Sequence, residues 1–210
     1  MNGEKISIAI QAGGESARMG RNKALMPFKG EALIARVARR LSGLGDEIFI
    51  TTNLPDEFAF LGYRCEADIL PGMGALGGLY TALNVARHPL AVVLACDLPL
   101  VNANLLRAQL ALLLESGADV VLPRSPDGLE PLHGVYQRER CLPAVEQALL
   151  SGGRRMIAWL PDVNVREMSA AEVARFDPFF HSFVNVNTPA EFAAAEVLAD
   201  GQKEDGAPMA

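Results

Sequence analysis

No stretch of the 210 residues approaches the roughly 20 consecutive apolar residues that a membrane span requires, and the apolar part of the opening "MNGEKISIAI" is too short for a secretory signal. Both absences predict a soluble, cytoplasmic protein. Cysteine is scarce: Cys65, Cys96 and Cys141 are isolated, odd in number and without metal-ligand spacing, so they read as reduced thiols rather than a disulfide framework. Histidine is equally rare. His88, His133 and His181 are scattered, with no serine or cysteine near them in a nucleophile pattern, which leaves no basis for a catalytic triad. His133, in "EPLHGVY", reads as a satisfied or exposed histidine rather than a pocket residue. Nor is there a basic surplus: the net charge of −6 lacks the footprint of a general nucleic-acid binder. An acidic protein that handles anions must concentrate positive charge locally, and Arg18, Arg21 and Lys23 do so within six residues.

What is present is ordinary globular composition, 50% hydrophobic and 21% charged, on a chain long enough for one well-cored domain. Strand and helix patterns alternate from the start. "KISIAI" (Lys5–Ile10) is a β-branched run that stops at a glycine pair, as a buried parallel strand does. "EALIARVARRLSGLG" sets Leu33, Ile34, Val37, Leu41 and Leu44 on one helical face, with Arg36, Arg39 and Arg40 off it. Further strands are expected at Asp46–Thr52, Leu90–Cys96, Ala118–Pro123, in "PLHGVY" and near "NVREM". Further helices are expected through "LYTALNVARH", through "NANLLRAQLALLLESG" with Asn102 or Asn104 as cap and Gly117 as stop, over Arg138–Leu150, through "RRMIAWL", and from Pro189 to about Leu198. The sum is an α/β three-layer domain over residues 1–200 on a mostly parallel sheet, followed by a disordered tail at 201–210. In such sheets ligands bind beyond the carboxyl ends of strands, at a switch in strand order.

The first strand ends in Gln11-Ala12-Gly13-Gly14. Five residues separate Gly14 from Gly20 and two more precede Lys23, so neither a Walker A loop nor a Gly-x-Gly-x-x-Gly fingerprint is present. The physical logic is similar nonetheless. Adjacent glycines let consecutive N–H groups face an anion, Arg18 can fork onto phosphate oxygens, and Lys23 supplies a point charge. The plain alternative is a tight turn with solvated basic residues. Asp97 follows the most apolar strand and would lie where a Mg²⁺–phosphate complex can sit; a turn or cap role is its alternative. Asp68, after "YRCEA", is a weaker candidate of the same kind. "PGMGALGG" reads as a glycine-rich turn, either approached by a base or ribose or simply a loop. Asn185 and Asn187 share a face if "FVNVNTP" is extended, and could orient a ligand or serve as turn residues. Arg154-Arg155 is either a second anion contact or a solvated helix start.

"QAGGESARMGRNKAL", "GALGG", "CDLP" and "FVNVNTP" occur in the order found in MobA-type molybdenum cofactor guanylyltransferases, which this chain resembles over residues 6–198. Two departures stand out: Gln11 replaces a leucine, where mainly the backbone is expected to matter, and Asn22 replaces an aspartate before Lys23. The resemblance implies a Rossmann-like nucleotidyltransferase fold with a mixed, mostly parallel sheet. It implies transfer of GMP from GTP to the terminal phosphate of molybdopterin, with release of pyrophosphate and with Mg²⁺ as cofactor. Carried over motif by motif, GTP would meet Gln11, Ala12, Gly13, Gly14, Lys23, Thr51 or Asn53, Asp68 and Asp97. Asp97 would hold the metal, Arg18 and Lys23 would act with it in catalysis, and Asn185 and Asn187 would face molybdopterin. Molybdoenzyme chaperones are partners implied by the family. A cytidylyltransferase of the same pterin or one acting on another phosphate, and a silent nucleotide- or cofactor-binding protein, are the competing readings.

Overall fold

The computed structural model describes residues 3–13 and 22–201. Gly14, Arg18, Arg21 and the tail after Gly201 lie outside the described residues. In chain order the elements are β1 (Ile6–Gln11), β2 (Pro27–Phe28), β3 (Glu31–Ala32), α1 (Leu33–Arg40), β4 (Glu47–Thr51), α2 (Pro55–Phe58), β5 (Arg64–Glu66), α3 (Gly74–Val85), β6 (Leu90–Ala95), α4 (Ala103–Ser116), β7 (Val120–Ser125), β8 (Gly128–Leu129), β9 (His133–Gln137), α5 (Arg138–Leu150), β10 (Val165–Met168), α6 (Ala170–Val173) and α7 (Pro189–Asp200).

The main sheet runs β10-β7-β9-β6-β1-β4-β5, with β8 on the side of β7. β1 is parallel to both β4 and β6, β4 to β5, and β7 to β10, whereas β9 is antiparallel to both β6 and β7. This is the mostly parallel sheet the alternating pattern predicts, with the mixed character that the resemblance implies. β1 is buried along its whole length because both of its faces are covered. Ile6, Ile8 and Ile10 join α1 and α4 in one core. Ala9, on the opposite face, joins α3 and α5 in another. The chain passes from β1 to β4 and β5 on one side, then returns to place β6 on the other. The carboxyl ends of β1 and β6 therefore flank the switch in strand order.

Local signals account for most boundaries. Asn102, not Asn104, caps α4, accepting from the Asn104 and Leu105 N–H groups, and Gly117 ends it at φ 67°. α7 opens on Thr188 with Pro189 in its first turn and a capping box closed by Glu191. Two expectations fail. The "RRMIAWL" segment is a series of turns closing in a 3-10 turn at Leu160–Asp162; the indole of Trp159 is fully buried and donates to the Met156 carbonyl at 2.9 Å, curling the chain. "PGMGALGG" is only half a turn. Gly72 and Gly74 turn the chain at φ 77° and 62°, but Gly74 already begins α3. Gly77 and Gly78 serve as close-packing positions, where a Cβ would stand 3.2 Å from the Leu70 carbonyl and 2.7 Å from Gln11 Oε1, respectively.

His133 is neither exposed nor well satisfied. It is 1% exposed, its Nδ1 lies 3.5 Å from Gln109 Nε2, and its ring packs on Phe183 at 4.9 Å. Burial pushes its pKa from 6.5 down to about 4, and the charge of nearby Asp177 offsets this only in part. As pH falls below 6.5 the unfolded chain takes up a proton that the folded chain refuses until about 4, so this residue costs stability across that window. A shift of this size corresponds to about 3 kcal/mol. His133→Gln should therefore show a shallower loss of unfolding free energy between pH 6.5 and 4 than the parent chain; equal slopes in denaturant titrations would refute it.

Candidate functional site

At the switch point, three strand ends and one C-terminal loop converge. The ends of β1 and β4 are tied by the Ala12 N–H donating to the Thr51 carbonyl at 2.9 Å, and the ends of β1 and β6 by the Cys96 N–H donating to the Gln11 carbonyl at 3.0 Å. The Val186 N–H donates to the Asp97 carbonyl at 3.2 Å, which sews the C-terminal loop to the same edge. Behind Asp97, Arg36 and Arg40 of α1 are buried rather than solvated. Their Nε groups donate to the Pro99 and Val101 carbonyls at 3.0 and 2.7 Å, bracing the loop that carries the carboxylate.

Lys23 is the hub. It lies in a single 3-10 turn, Lys23–Leu25, and its Nζ meets Asp97 Oδ2 at 2.7 Å and Asn187 Oδ1 at 2.6 Å. Asn187 Nδ2 in turn donates to Asn185 Oδ1 at 3.0 Å. Val186 between them is buried while both asparagines are exposed, the shared face that the extended reading required. The Lys23 and Asp97 side chains are only 16% and 14% exposed, so their attraction is partly shielded from water. Asp97 Oδ1 is buried and makes no hydrogen bond among the described residues.

Two residues with no earlier role hold this hub. Glu191 accepts from the Asn187 and Thr188 N–H groups at 2.5 and 2.9 Å. These bonds, with help from the Lys23 charge, pull its carboxyl below the ordinary range. The Thr-x-x-Glu spacing is a capping-box signature legible in the sequence. Glu57 of α2 accepts from Asn22 Nδ2 at 2.7 Å, while Asn22 Oδ1 caps the turn by accepting from the Ala24 N–H at 3.2 Å. Nothing in sequence spacing signals that pair. It explains how an amide suits position 22: an aspartate would face Glu57 with like charge. Asn22→Asp should raise the KM for nucleotide about three- to tenfold at neutral pH, and Asn22→Asp/Glu57→Gln should restore it. An unchanged KM in the single variant would remove the clasp from the site.

A second wall of the site, next to Gly13 at the end of β1, is built by Asn53 and Asp68, joined by Asn53 Nδ2 to Asp68 Oδ2 at 2.8 Å and the Asp68 N–H to Asn53 Oδ1 at 3.0 Å. Gly13 is exposed beside them; a Cβ there would stand 3.6 Å from Asp68 Oδ2. Of the two β4-end residues, Asn53 reaches this wall, whereas Thr51 is 1% exposed and contributes its carbonyl. Arg154 donates to the Gly72 carbonyl at 2.9 Å. Cys96, next to Asp97, is an inert thiol: burial and the Asp97 charge push its pKa up to about 12. Among the described residues, no three His, Cys, Asp or Glu side chains gather into a metal cage, and no helix is long and apolar enough to cross a membrane.

The described arrangement, a lysine paired with the carboxylate that follows β6, coincides with a family match: residues 8–165 fit the MobA-like NTP transferase domain. The chain belongs to that family. It is 34% identical over 92% of its length to a probable molybdenum cofactor guanylyltransferase of Pelotomaculum thermopropionicum, covering 93% of that protein. It is also 34% identical, over 92% of its length and 95% of the relative, to the molybdenum cofactor guanylyltransferase of Desulfosudis oleivorans. The crystal structure of molybdopterin-guanine dinucleotide biosynthesis protein A from Archaeoglobus fulgidus superposes with a TM-score of 0.80 at 26% identity, over 93% of this chain and all of that one. Membership in the MobA-like NTP transferases thus agrees with the fold that the sheet order describes.

Proposed function

We propose that this NTP transferase moves GMP from GTP to the terminal phosphate of molybdopterin and releases pyrophosphate, using one nucleotidyltransferase domain over residues 1–200. The observation that carries the reading is the Lys23–Asp97–Asn187–Asn185 chain at the strand-order switch, with Asp97 Oδ1 buried and unpaired among the described residues. The names of the relatives support the choice of guanine nucleotide and pterin.

An anionic oxygen without a hydrogen-bond donor suits a hard cation, and one carboxylate plus substrate phosphates is an ordinary Mg²⁺ ligand set. Asp97 fits that role, and Mg²⁺ bound there would supply Lewis-acid stabilisation of the reacting phosphates. No general base is required. A phosphate monoester with a second pKa of about 6 is already a nucleophile at neutral pH. Its oxygen bonds to the α-phosphorus of GTP as the bond from that phosphorus to the pyrophosphate oxygen breaks. Lys23 neutralises charge gathering on the leaving group, and the backbone of Ala12 and Gly13 lets the triphosphate approach closely. Gly14 and Arg18, from the same motif, belong to this proposal on the resemblance alone. Gln11, Asn53 and Asp68 line the nucleoside side, with Thr51 acting through its carbonyl, while Asn185 and Asn187 face the pterin phosphate. Water-soluble substrates suit work in the cytoplasm.

Purified protein should release pyrophosphate from GTP with Mg²⁺ and molybdopterin, and do so much more slowly from CTP or ATP. A preference for CTP would convert the reading to a cytidylyltransferase. Nucleotide binding without turnover of any of the three would leave only a carrier.

A further inference from the structure

Gln11 occupies a position where the family pattern has leucine, and its side chain is 9% exposed. On β1 it falls on the same face as Ser7 and Ala9, against the first turns of α3. Gly78 leaves room for it there: a Cβ at that residue would stand 2.7 Å from Gln11 Oε1 and 3.3 Å from Nε2. Nε2 is buried and finds no hydrogen-bond partner among the described residues. A leucine in this space would pack without desolvating an amide, whereas an unpaired buried N–H opposes folding. The amide therefore lacks a structural justification within the described residues.

Its location supplies another. Gln11 closes the strand whose next residues, Ala12 and Gly13, enter the cleft, and Gly13 adjoins the Asn53–Asp68 wall. We propose that the Gln11 side-chain amide is a specificity-determining contact, with Nε2 donating to an acceptor on the nucleobase. Under the guanylyltransferase reading, on which this rests, the acceptor is O6 of guanine. Adenine carries an amino group at the equivalent position and would set donor against donor. A site built around a buried polar group rejects a base that leaves that group unpaired. The proposal adds a side-chain role to the backbone role expected of residue 11.

The test uses Gln11→Leu and Gln11→Met in the full chain. Affinities for GTP, ATP and CTP are measured by titration calorimetry with Mg²⁺, and thermal unfolding is measured without nucleotide. The expected result is about a tenfold fall in the GTP-to-ATP affinity ratio, arising from weaker GTP binding, with an unchanged or raised unfolding temperature. An unchanged ratio in either folded variant would overturn the proposal, and a lowered unfolding temperature with an unchanged ratio would show that the amide is a packing element. If the parent chain prefers CTP, the guanylyltransferase reading fails by itself; whether the substitutions still shift the nucleotide ratios then decides the amide's role separately.

Discussion

With Asp97 replaced by alanine, pyrophosphate release from GTP and molybdopterin should fall by at least ~10³-fold while the far-UV spectrum and unfolding cooperativity persist. The sheet does not depend on this carboxylate. The loop that carries it is held by carbonyls bonded to Arg36, Arg40 and the Val186 amide, none of which involves the Asp97 side chain. What is lost is the partner of Lys23 and the oxygen available to a cation. Asn in place of Asp97 separates the two losses. It keeps an acceptor for the Lys23 ammonium but removes the negative charge, so it should be nearly as inactive as alanine. Activity above about a tenth of the parent in either variant would discard the proposed metal-binding role.

Lys23→Met should lower kcat/KM for GTP by ~10² to 10³-fold, through the loss of a positioned cation facing the triphosphate. Lys23→Arg should recover little. The ammonium sits between Asp97 Oδ2 at 2.7 Å and Asn187 Oδ1 at 2.6 Å, a gap that fits a compact charge and not a planar fork. A second readout distinguishes charge from packing. With Lys23 gone, Asp97 carries its charge uncompensated, so half-saturation with Mg²⁺ in calorimetric titrations should move to lower concentration. Weaker metal binding in Lys23→Met would show that the lysine organises the carboxylate rather than competing for it.

Much of this cleft was legible from residue order. The β-branched runs of β1 and β6 fix where strands stop, and whatever follows a buried parallel strand must emerge at its carboxyl edge; that placed Ala12, Gly13 and Asp97 without coordinates. Asn185 and Asn187 followed from the two-residue repeat of an extended chain. The remainder depends on contacts distant in sequence. Arg36 and Arg40 were set off the apolar face of α1, yet a second neighbour, the loop after β6, buries them by offering carbonyls. The glycines of α3 share one composition but divide into turn and packing roles according to what each faces. The Asn22–Glu57 clasp joins residues 35 apart and has no periodic signature.

One further consequence follows from the small apolar cluster of Phe28, Leu33, Val186, Phe192 and Ala195, which stands apart from the two cores on opposite faces of the sheet. Phe28 belongs to the hairpin just after Lys23, and Val186 lies between the two asparagines. The cluster thus joins the lysine's support and the asparagine loop into one jaw, which meets the β6 edge through the Val186 amide on the Asp97 carbonyl and through the Lys23–Asp97 ion pair. Such a unit opens as a whole or not at all. Amide exchange at Phe28 and at Val186 should therefore proceed at matched rates, and occupancy of the cleft should slow both together.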